Sequence, residues 1–544
     1  MQAQPTDAET SSDLAERCDL CVIGAGIAGL NALFVAAEHL PRDTQVVVID
    51  TNPEAGGMWS STESDVRLYQ PHRLFTVGNM RWHLARPADY RATGAEVRRH
   101  LQNCFRDLGR RLRIVGRFGH RAEHVSEPRD GGPAEVLYRD LATGRVRRLL
   151  ADRVIRASGH DIPRPEPLPL SSRDVRSLTP QDLGSLPPGV PVYVIGGGRV
   201  GLDCVLALAR NGSAGPVVLI NGAGTSFPTR EQSFPGWILR WWRGEPASTL
   251  YRRAAMRFDG DNAKSALAAL AKSRTIHLPG RHAGYSFAPL SKTALRSVQA
   301  GLSDLLNEHL IDVEDTDRGP EMVFRSGTRR WVERGAVVVN CTGEARDRTA
   351  SRDPVLSPGG QVLTLNTRSM VHVLSGVSAW VLTHLFLSGR LAGTPLWSVD
   401  ADALRRVGAA WFTMTAITVS LHNMIVARQA LNPSAMRTLG MDADRYYPVP
   451  RRILHRLRGR RLAPAIIDHC RHTMERVQCR TGARCGPIDG PNDGPNDGPV
   501  DGPIDGPSKG SSTERGRDRF DTPLPGHLAG QRSGVVPCSA QDGI

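Results

Sequence analysis

A glycine-rich turn, G-A-G-I-A-G at residues 24–29, constrains the fold more than any other feature of the sequence. An apolar run precedes it at residues 20–23, a helical stretch follows, and a second apolar run ends at Asp50. In that setting Gly24 permits a tight turn, Gly26 lets backbone amides approach a pyrophosphate, and Gly29 lets the helix pack on the strand. Asp50 stands where a carboxylate accepts ribose hydroxyls. The pattern predicts a βαβ unit that binds a dinucleotide.

A second glycine turn, G-G-G-R-V-G at residues 196–201, has the same context of strand, helix and strand. The position equivalent to Asp50 is near Asn221, which is not acidic. A carboxylate there would repel a 2′-phosphate, so its absence favours NADP, with Arg199, Arg210 or Arg230 available to pair with the phosphate. The alternative is a purely structural turn. Two such folds in one chain imply two nucleotide cofactors, as electron transfer from a nicotinamide to a flavin requires.

A third element follows Asp50: Gly56-Gly57-Met58-Trp59 resembles the GGxW element of flavin-containing and Baeyer–Villiger monooxygenases. The resemblance covers about residues 17–430, and residues 157–159 (A-S-G) and 341–343 (C-T-G) match two A-T-G-type motifs of that family. It implies FAD on the first fold and NADPH on the second, with FAD-bound oxygen carried as a C4a-hydroperoxide. The expected fold class is α/β, with two Rossmann-like domains, the NADPH domain inserted in the FAD domain, and a disordered tail.

The corresponding domain boundaries are predicted as follows: an FAD-binding domain, first part, at residues 15–183; an NADPH-binding domain with a helical insertion at 184–330; the FAD-binding return at 331–480; and the tail at 481–544. The tail carries a P-x-D-G repeat from Pro487, and neither a helix nor a central strand accommodates that proline and glycine content.

The cofactor contacts predicted from these motifs are Gly24, Gly26, Ile27, Ala28, Gly29, Asp50, Gly57, Met58, Trp59, Gln70, Ser158, Gly159, Gly196, Gly198, Arg199, Val200, Gly201, Arg230, Thr342 and Gly343. The family resemblance places flavin-contacting residues in the segment 66–82, so Gln70, His72 and Asn79 are the predicted catalytic polar groups. For His72, satisfying the local backbone is an equally good interpretation.

The family resemblance leaves the substrate open. Baeyer–Villiger enzymes carry a histidine-containing element just before the second turn, whereas residues 165–183 have no histidine and Ser177 stands roughly at that position. The segment 69–79 is more similar to the branch that oxygenates amino-acid nitrogens, including the nitrosuccinate-forming aspartate N-monooxygenases. N-hydroxylation of an amine or amino acid is therefore the leading prediction. Baeyer–Villiger or sulfur oxygenation is the first alternative, and a flavoprotein reductase or flavin-binding protein without oxygenase activity is the second.

An amino-acid substrate would need arginine to hold its carboxylates. The predicted substrate-binding residues are Arg67, Arg281 and Arg390. Disulfide reductases share the layout of two nucleotide folds, but they need a dithiol against the flavin. Cys18 and Cys21 precede the first turn and are predicted to be buried core residues, and Cys204 has no cysteine two residues away. The disulfide reductase interpretation is therefore rejected.

Composition excludes several other classes. The net charge is +14, yet the arginines are scattered, and the densest run at residues 451–461 is typical of a solvated helix face rather than a nucleic-acid site. The nine cysteines lack the spacing of a disulfide framework, and the N-terminus lacks an apolar signal region. Two uncharged stretches, at 369–389 and 409–427, are interpreted as buried core. Together these features favour a cytoplasmic protein. A small-molecule substrate and dioxygen are expected as partners, without nucleic acid, membrane or metal; the oligomeric state stays open.

Overall fold

The structure, a computed structural model, describes residues 15–62, 66–128, 131–159, 166–212, 215–236, 238–272, 274–280, 283–342, 354–365 and 369–488. These residues all belong to the first of the two units into which the chain divides, residues 1–490. The second unit lies outside the described residues.

The strands, in chain order, are β1 Glu16–Ile23, β2 Gln45–Asp50, β3 Arg113–Phe118, β4 His120–Ser126, β5 Ala134–Asp140, β6 Val146–Arg156, β7 Arg176–Leu178, β8 Val192–Ile195, β9 Val217–Ile220, β10 Thr225–Pro228, β11 Thr275–Ile276, β12 Gly284–Tyr285, β13 Asp304–Leu306, β14 Leu310–Thr316, β15 Gly319–Phe324, β16 Arg329–Trp331, β17 Val337–Asn340, β18 Val362–Thr364, β19 Ser369–Met370, β20 Trp397–Asp400 and β21 Cys485–Pro487.

The helices are α1 Ile27–His39, α2 Gly94–Leu108, α3 Arg199–Asn211, α4 Arg230–Ser233, α5 Ala247–Ala255, α6 Ala263–Ala271, α7 Lys292–Gly301, α8 Ser375–Leu387, α9 Ala401–Val407, α10 Ala409–Ala430, α11 Pro433–Thr438 and α12 Val449–Thr481. Short 3-10 turns occur at Gly57–Ser60, His72–Leu74, Pro180–Ser185, Leu239–Trp241 and Ala443–Tyr446.

The first sheet contains β1 and β2, as the first glycine motif predicts. Its order is β3-β2-β1-β6-β5-β4, with β18 also paired to β6. The strands around β1 run parallel, which requires both faces to be covered, and the apolar residues 46–49 are accordingly buried. Helix α1 covers one face and is buried over residues 28–36, because α8 packs on its other side. Phe34 and Trp380 are among the largest side chains in this core.

The second sheet is wholly parallel in the described chain, with the order β13-β9-β8-β17-β7. It contains the second glycine motif, and α3 packs against α7 beside it. Two of its strands correct the predicted boundaries. Strand β7 lies before residue 184 and β17 lies after residue 330, yet both pair within this sheet. The buried V-V-V-N run of β17 belongs between β8 and β7, so the NADPH-type fold extends from about β7 to β17.

The chain returns to the first sheet after this insertion. Strand β18 pairs in parallel with β6, with Leu363 opposite Ile155. The predicted α/β fold class is thereby confirmed: two Rossmann-like folds, the second inserted in the first, with β4 and β5 added antiparallel at one edge of the first sheet. The antiparallel sheets β14-β15-β16, β11-β10-β12 and β19-β20-β21 are smaller additions.

The uncharged stretches are buried helices, as predicted. Helix α8 is buried over residues 379–387 and α10 is buried over most of its central turns. By length and composition α10 is the one helix among the described residues that passes a membrane-span test, and 67% of its most apolar window is buried in the protein. The arginine-rich run at 451–461 forms the first part of α12.

The predicted start of the tail at residue 481 is wrong. Strand β21 pairs with β20, so that Val399 lies opposite Cys485, and the Ile488 amide donates to the Leu396 carbonyl at 2.9 Å. Cys485 is buried in a hydrophobic core that also contains Trp397 and Ile466. Residues 489–544, which include most of the repeat, lie outside the described residues.

Two truncations test the corrected boundary. Removing residues 489–544 leaves β21 in place, and we expect unchanged flavin content and an unchanged melting temperature. Removing residues 484–544 deletes β21 and its buried cysteine, and we expect a loss of about 2 kcal/mol or more of stability. Thermal melts of both proteins check this. Equal stability of the two truncated proteins would contradict the assignment of β21 to the folded core.

Candidate functional site

The first glycine turn is held by contacts that leave no room for side chains. Gly24 has a φ of 104°, and a Cβ on it would lie 2.4 Å from the Ala157 carbonyl oxygen. A Cβ on Gly29 would lie 1.8 Å from the Gly24 carbonyl oxygen. The Ala157 amide in turn donates to the Ile23 carbonyl at 2.7 Å. The turn is therefore clamped between α1 and the residue that follows β6, which places Ser158 and the exposed Gly159 beside it.

Asp50 ties this turn to the loop after β2. Its Oδ2 accepts from the Ala25 amide at 2.6 Å, and its Oδ1 accepts from the Asn52 amide at 2.7 Å. The carboxylate is 7% exposed at the carboxyl end of its strand. Asn52 Nδ2 also donates to Oδ1, at 2.9 Å, so Oδ2 is the oxygen with acceptor capacity left for the predicted ribose contact.

The G-G-M-W segment lies over the first turn. Gly57 approaches Gly26 so closely that a Cβ on Gly57 would be 2.7 Å from the Gly26 Cα. Trp59 packs edge-on against Phe75 with ring centroids 5.8 Å apart, whereas Met58 is 71% exposed. The segment thus combines a backbone that touches the first glycine turn with a side chain, that of Met58, exposed to solvent.

The second turn repeats the geometry of the first. Gly196 has a φ of 110°, and a Cβ on Gly201 would lie 2.0 Å from the Gly196 carbonyl oxygen. A Cβ on Gly198 would meet no heavy atom of the described chain within 4 Å. Helices α1 and α3 both begin without a side-chain cap and without an acidic residue in the first turn, unlike α2, which Thr93 caps. An uncapped helix N-terminus with open space above it suits a pyrophosphate.

Asn221 takes the place of Asp50 in the second fold. Its Nδ2 donates to the Asn307 Oδ1 at 3.1 Å, while its Oδ1 is buried and accepts no hydrogen bond from the described residues. A Cβ on Gly197 would overlap that oxygen, at 1.6 Å. An unpaired acceptor at the carboxyl end of β9 fits a ribose hydroxyl donor, and its neutrality fits a neighbouring phosphate.

The two folds touch at Tyr69, a residue of the segment that follows the G-G-M-W element. The Arg199 guanidinium carbon lies 4.8 Å from the centre of the Tyr69 ring, and the Tyr69 hydroxyl is 3.5 Å from Asp203 Oδ2. Burial, reinforced by the Asp203 charge, raises the pKa of Tyr69 to about 12. Arg199 is itself bound to Asp203 through two nitrogens, at 2.9 and 3.2 Å. A second contact joins Arg230 Nη2 to the Asp89 carbonyl at 3.1 Å.

The three predicted catalytic residues are placed differently. His72 is 1% exposed, its Nδ1 lies 3.0 Å from the Tyr90 carbonyl, and burial lowers its pKa. That position favours the interpretation of His72 as a partner of the local backbone. Gln70 is half-buried next to Tyr69, and Asn79 is exposed. Their catalytic roles stay predictions.

The segment 66–82 ends in a stacked aromatic pair. Trp82 stacks on His100 with ring centroids 4.0 Å apart, and His100 Nε2 lies 3.1 Å from Thr76 Oγ1. Burial lowers the pKa of His100 to about 3, so the ring is neutral at physiological pH. His100 therefore contributes to packing as a neutral ring and does not act as an acid or base.

The predicted substrate arginines do not come together. Arg67 is near the junction, where its Nη1 donates to the Tyr90 hydroxyl at 3.2 Å. Arg390 is exposed at the far end of α8, and Arg281 lies outside the described residues, as does Gly343. Arg210 is in the last turn of α3, about 16 Å along the helix from Arg199 at ~1.5 Å per residue. Arg210 is therefore far from the N-terminus of α3 and the second turn.

Cys204 does have a partner, contrary to the expectation from spacing. Its Sγ lies 3.4 Å from that of Cys341, the residue after β17. Both are buried free thiols, and the neighbouring thiol together with burial raises the pKa of Cys341. A buried, protonated thiol is a poor nucleophile, and the pair lies under the second turn rather than the first. Cys18 and Cys21 are buried in β1, as predicted.

Two groups that sequence reasoning missed are Arg91 and Asp203. Arg91 lies in a segment without a motif, and its Nε donates to the Leu68 carbonyl at 2.6 Å. Asp203 is four residues after Arg199 on α3, a spacing typical of an ion pair on a helix. That spacing is the sequence feature from which the pair could have been predicted.

Neither glycine turn lines the cavity described below. A cavity of about 470 Å³ is lined by Thr229, Glu231, Gln232, Arg243, Gly244, Arg274 and Lys292, and none of these belongs to either turn. Among the described residues no group of three or more His, Cys, Asp and Glu side chains is placed to hold a metal ion.

The sequence matches one family model, described as pyridine nucleotide-disulphide oxidoreductase, over residues 18–238. The match includes both glycine turns. It supports the prediction that FAD and NADPH are the cofactors, in an oxidoreductase fold. None of the curated proteins matches the sequence.

The chain is similar to three solved structures, among others. A flavin-containing monooxygenase from Stenotrophomonas maltophilia is 17% identical, with 70% of this chain and 99% of that chain covered and a TM-score of 0.43. A cyclohexanone monooxygenase from Rhodococcus sp. Phi1 bound to NADP+ is 16% identical, with 73% and 91% covered and a TM-score of 0.47. A bacillithiol disulfide reductase from Bacillus cereus is 12% identical, with 69% and 100% covered and a TM-score of 0.43. At these values the likeness carries no argument about the reaction.

Alanine substitutions at two glycines of the second turn distinguish an effect on NADPH binding from an effect on folding. Gly198→Ala places a methyl group in the open space above α3, with φ and ψ of −77° and −178° that alanine accepts. We expect a stability change within about 1 kcal/mol and a rise of about tenfold in the Kd for NADPH. Gly201→Ala meets the Gly196 carbonyl oxygen and should destabilise the second fold instead.

Anaerobic NADPH titration and thermal melts check both variants, with Gly184→Ala, which also has open space around its Cβ, as the control. Unchanged NADPH affinity in a folded Gly198→Ala protein would contradict the assignment of the phosphate site to this turn.

Proposed function

We propose that the protein is an FAD- and NADPH-dependent monooxygenase that oxygenates the nitrogen of an amine or amino acid, an aspartate-like substrate included. The observation that carries the proposal is the contact between the two folds at Tyr69. The N-terminus of α3, where NADPH phosphates are expected, lies against the segment that follows the FAD turn. A nicotinamide held by the second fold would therefore lie next to a flavin held by the first.

The residues of the first fold would position FAD. The backbone from Gly24 to Gly29 would face the pyrophosphate and Asp50 would accept from the ribose, while Gly57 lies over the turn. The second fold would hold NADPH at the uncapped start of α3, with the unpaired Asn221 Oδ1 on a ribose hydroxyl. When bound, the pair of cofactors supplies a hydride and activates dioxygen.

The electrostatics at the junction favour an amine as the oxygen acceptor. Only a neutral amine is nucleophilic, and a free α-amine has an ordinary pKa of about 7.7–8.0. The guanidinium groups of Arg91, Arg199 and Arg230 lie close enough to interact with one another. A positive environment disfavours an ammonium ion, so it would lower the amine pKa and raise the reactive fraction. The same charges would hold a substrate carboxylate.

The reaction type is tested by following where the oxygen goes. With NADPH and 18O-labelled dioxygen, we expect a matching amine or amino acid to lower peroxide release and to acquire one labelled oxygen per NADPH oxidised. A panel of amines and amino acids including aspartate, a cyclic ketone and a sulfide distinguishes nitrogen oxygenation from Baeyer–Villiger and sulfur oxygenation.

The matched comparison uses Gly198→Ala, which should slow NADPH oxidation on every substrate alike. Label in the ketone product alone would overturn the amine assignment. Oxygen recovered entirely as peroxide across the panel, while the flavin still turns over, would instead identify an NADPH-oxidising flavoprotein without oxygenase activity.

A further inference from the structure

Four arginines from the two folds converge at the junction around Tyr69. Arg67 and Arg91 come from the segment between the G-G-M-W element and α2, while Arg199 and Arg230 begin α3 and α4. Arg67, Arg199 and Arg230 all lie within electrostatic range of the Arg91 guanidinium. No motif in the sequence indicates this convergence, because it depends on the contact between the folds.

Two of these charges are compensated by neighbouring side chains. Arg199 has a bidentate partner in Asp203 and a ring face in Tyr69. Arg67 is exposed and donates to the Tyr90 hydroxyl, which itself donates to Glu96 at 3.0 Å. Neither of these arginines requires a further anion.

Arg91 and Arg230 are not compensated in this way. Each donates to a backbone carbonyl, Arg91 Nε to Leu68 at 2.6 Å and Arg230 Nη2 to Asp89 at 3.1 Å. In the described part of the chain neither has a carboxylate within ion-pair distance. Both are withdrawn from solvent: burial, aided by the Arg230 and Arg199 charges, lowers the pKa of Arg91 to about 10, and burial lowers the pKa of Arg230. Partly buried cations close enough to repel one another are costly unless an anion joins them.

We propose that Arg91 and Arg230 form an oxyanion-binding site at the junction of the two folds, which takes a carboxylate or phosphate group. One arginine comes from each fold, so the anion also draws the folds together. Two sources carry this chemistry: the phosphates of the nicotinamide nucleotide and the carboxylate of an amino-acid substrate. Anion binding itself does not depend on the monooxygenase reaction; only the substrate source rests on the proposed function.

Anion binding is measured first without turnover. The purified FAD-loaded protein is melted in inorganic pyrophosphate or malonate, against acetate at constant ionic strength, for the wild type, Arg91→Gln, Arg230→Gln and the double variant. We expect a saturable rise in the midpoint for the wild type, an apparent affinity about tenfold weaker in each single variant, and no saturable rise in the double variant. Arg91→Lys should recover part of the loss.

Arg110→Gln is the matched control, because it removes the same charge from an exposed position just after α2. It should bind both anions as the wild type does. Saturable binding of pyrophosphate and malonate with unchanged affinity in the double variant would overturn the proposal, and so would equal weakening in the Arg110→Gln protein.

Two further measurements distinguish the sources. A raised Kd for NADPH in anaerobic flavin reduction by Arg91→Gln and Arg230→Gln assigns the site to the nucleotide phosphates. An unchanged Kd for NADPH with a raised KM for the oxygenated amino acid assigns it to the substrate carboxylate. If the wild type oxygenates nothing while the anions still bind at Arg91 and Arg230, the proposed function fails and the anion site stands.

Discussion

The whole arrangement depends on one backbone contact that occurs twice. In each nucleotide fold the third glycine of the turn lies against the carbonyl of the first, with Gly29 against Gly24 and Gly201 against Gly196. A side chain at either third glycine would push the helix away from its strand. Because the helix stays close, its N-terminus lies at the carboxyl edge of the sheet, where Asp50 ends β2 and Asn221 directly follows β9.

The second constraint is the set of charged contacts at the junction between the two folds. Arg199 fixes the start of α3 to Tyr69 and Asp203, and this places the second turn against the segment that follows the first. Positive charge then accumulates between the folds, where Arg91 and Arg230 have only carbonyl partners among the described residues. A surface of this kind is complementary to anionic groups, such as the phosphates of a nucleotide and the carboxylate of an amino acid.

Local sequence patterns predicted the two nucleotide folds well. Each glycine turn, its flanking strands and the Asp50 or Asn221 side chain at the end of the second strand depend on residues that are close in sequence. The same patterns predicted the domain limits less well. Strand β17 is apolar like any buried strand, and only its pairing with β8 and β7 assigns it to the second fold. The contacts of Cys204 with Cys341 and of Arg91 with its neighbours join residues far apart in the chain, which spacing cannot show. For His72 the sequence left a catalytic role and a local backbone contact equally open, and only its burial by distant neighbours favours the second.

The contact between the two folds is tested most directly by anaerobic reduction of the purified protein. One FAD per chain should be recovered, and NADPH should bleach its absorbance in a saturable manner and at lower concentration than NADH, because Asn221 places no carboxylate beside a 2′-phosphate. A protein that takes up no FAD would contradict the assignment of the first turn. A protein that holds FAD which NADPH does not reduce would contradict the arrangement of the two sites across Tyr69.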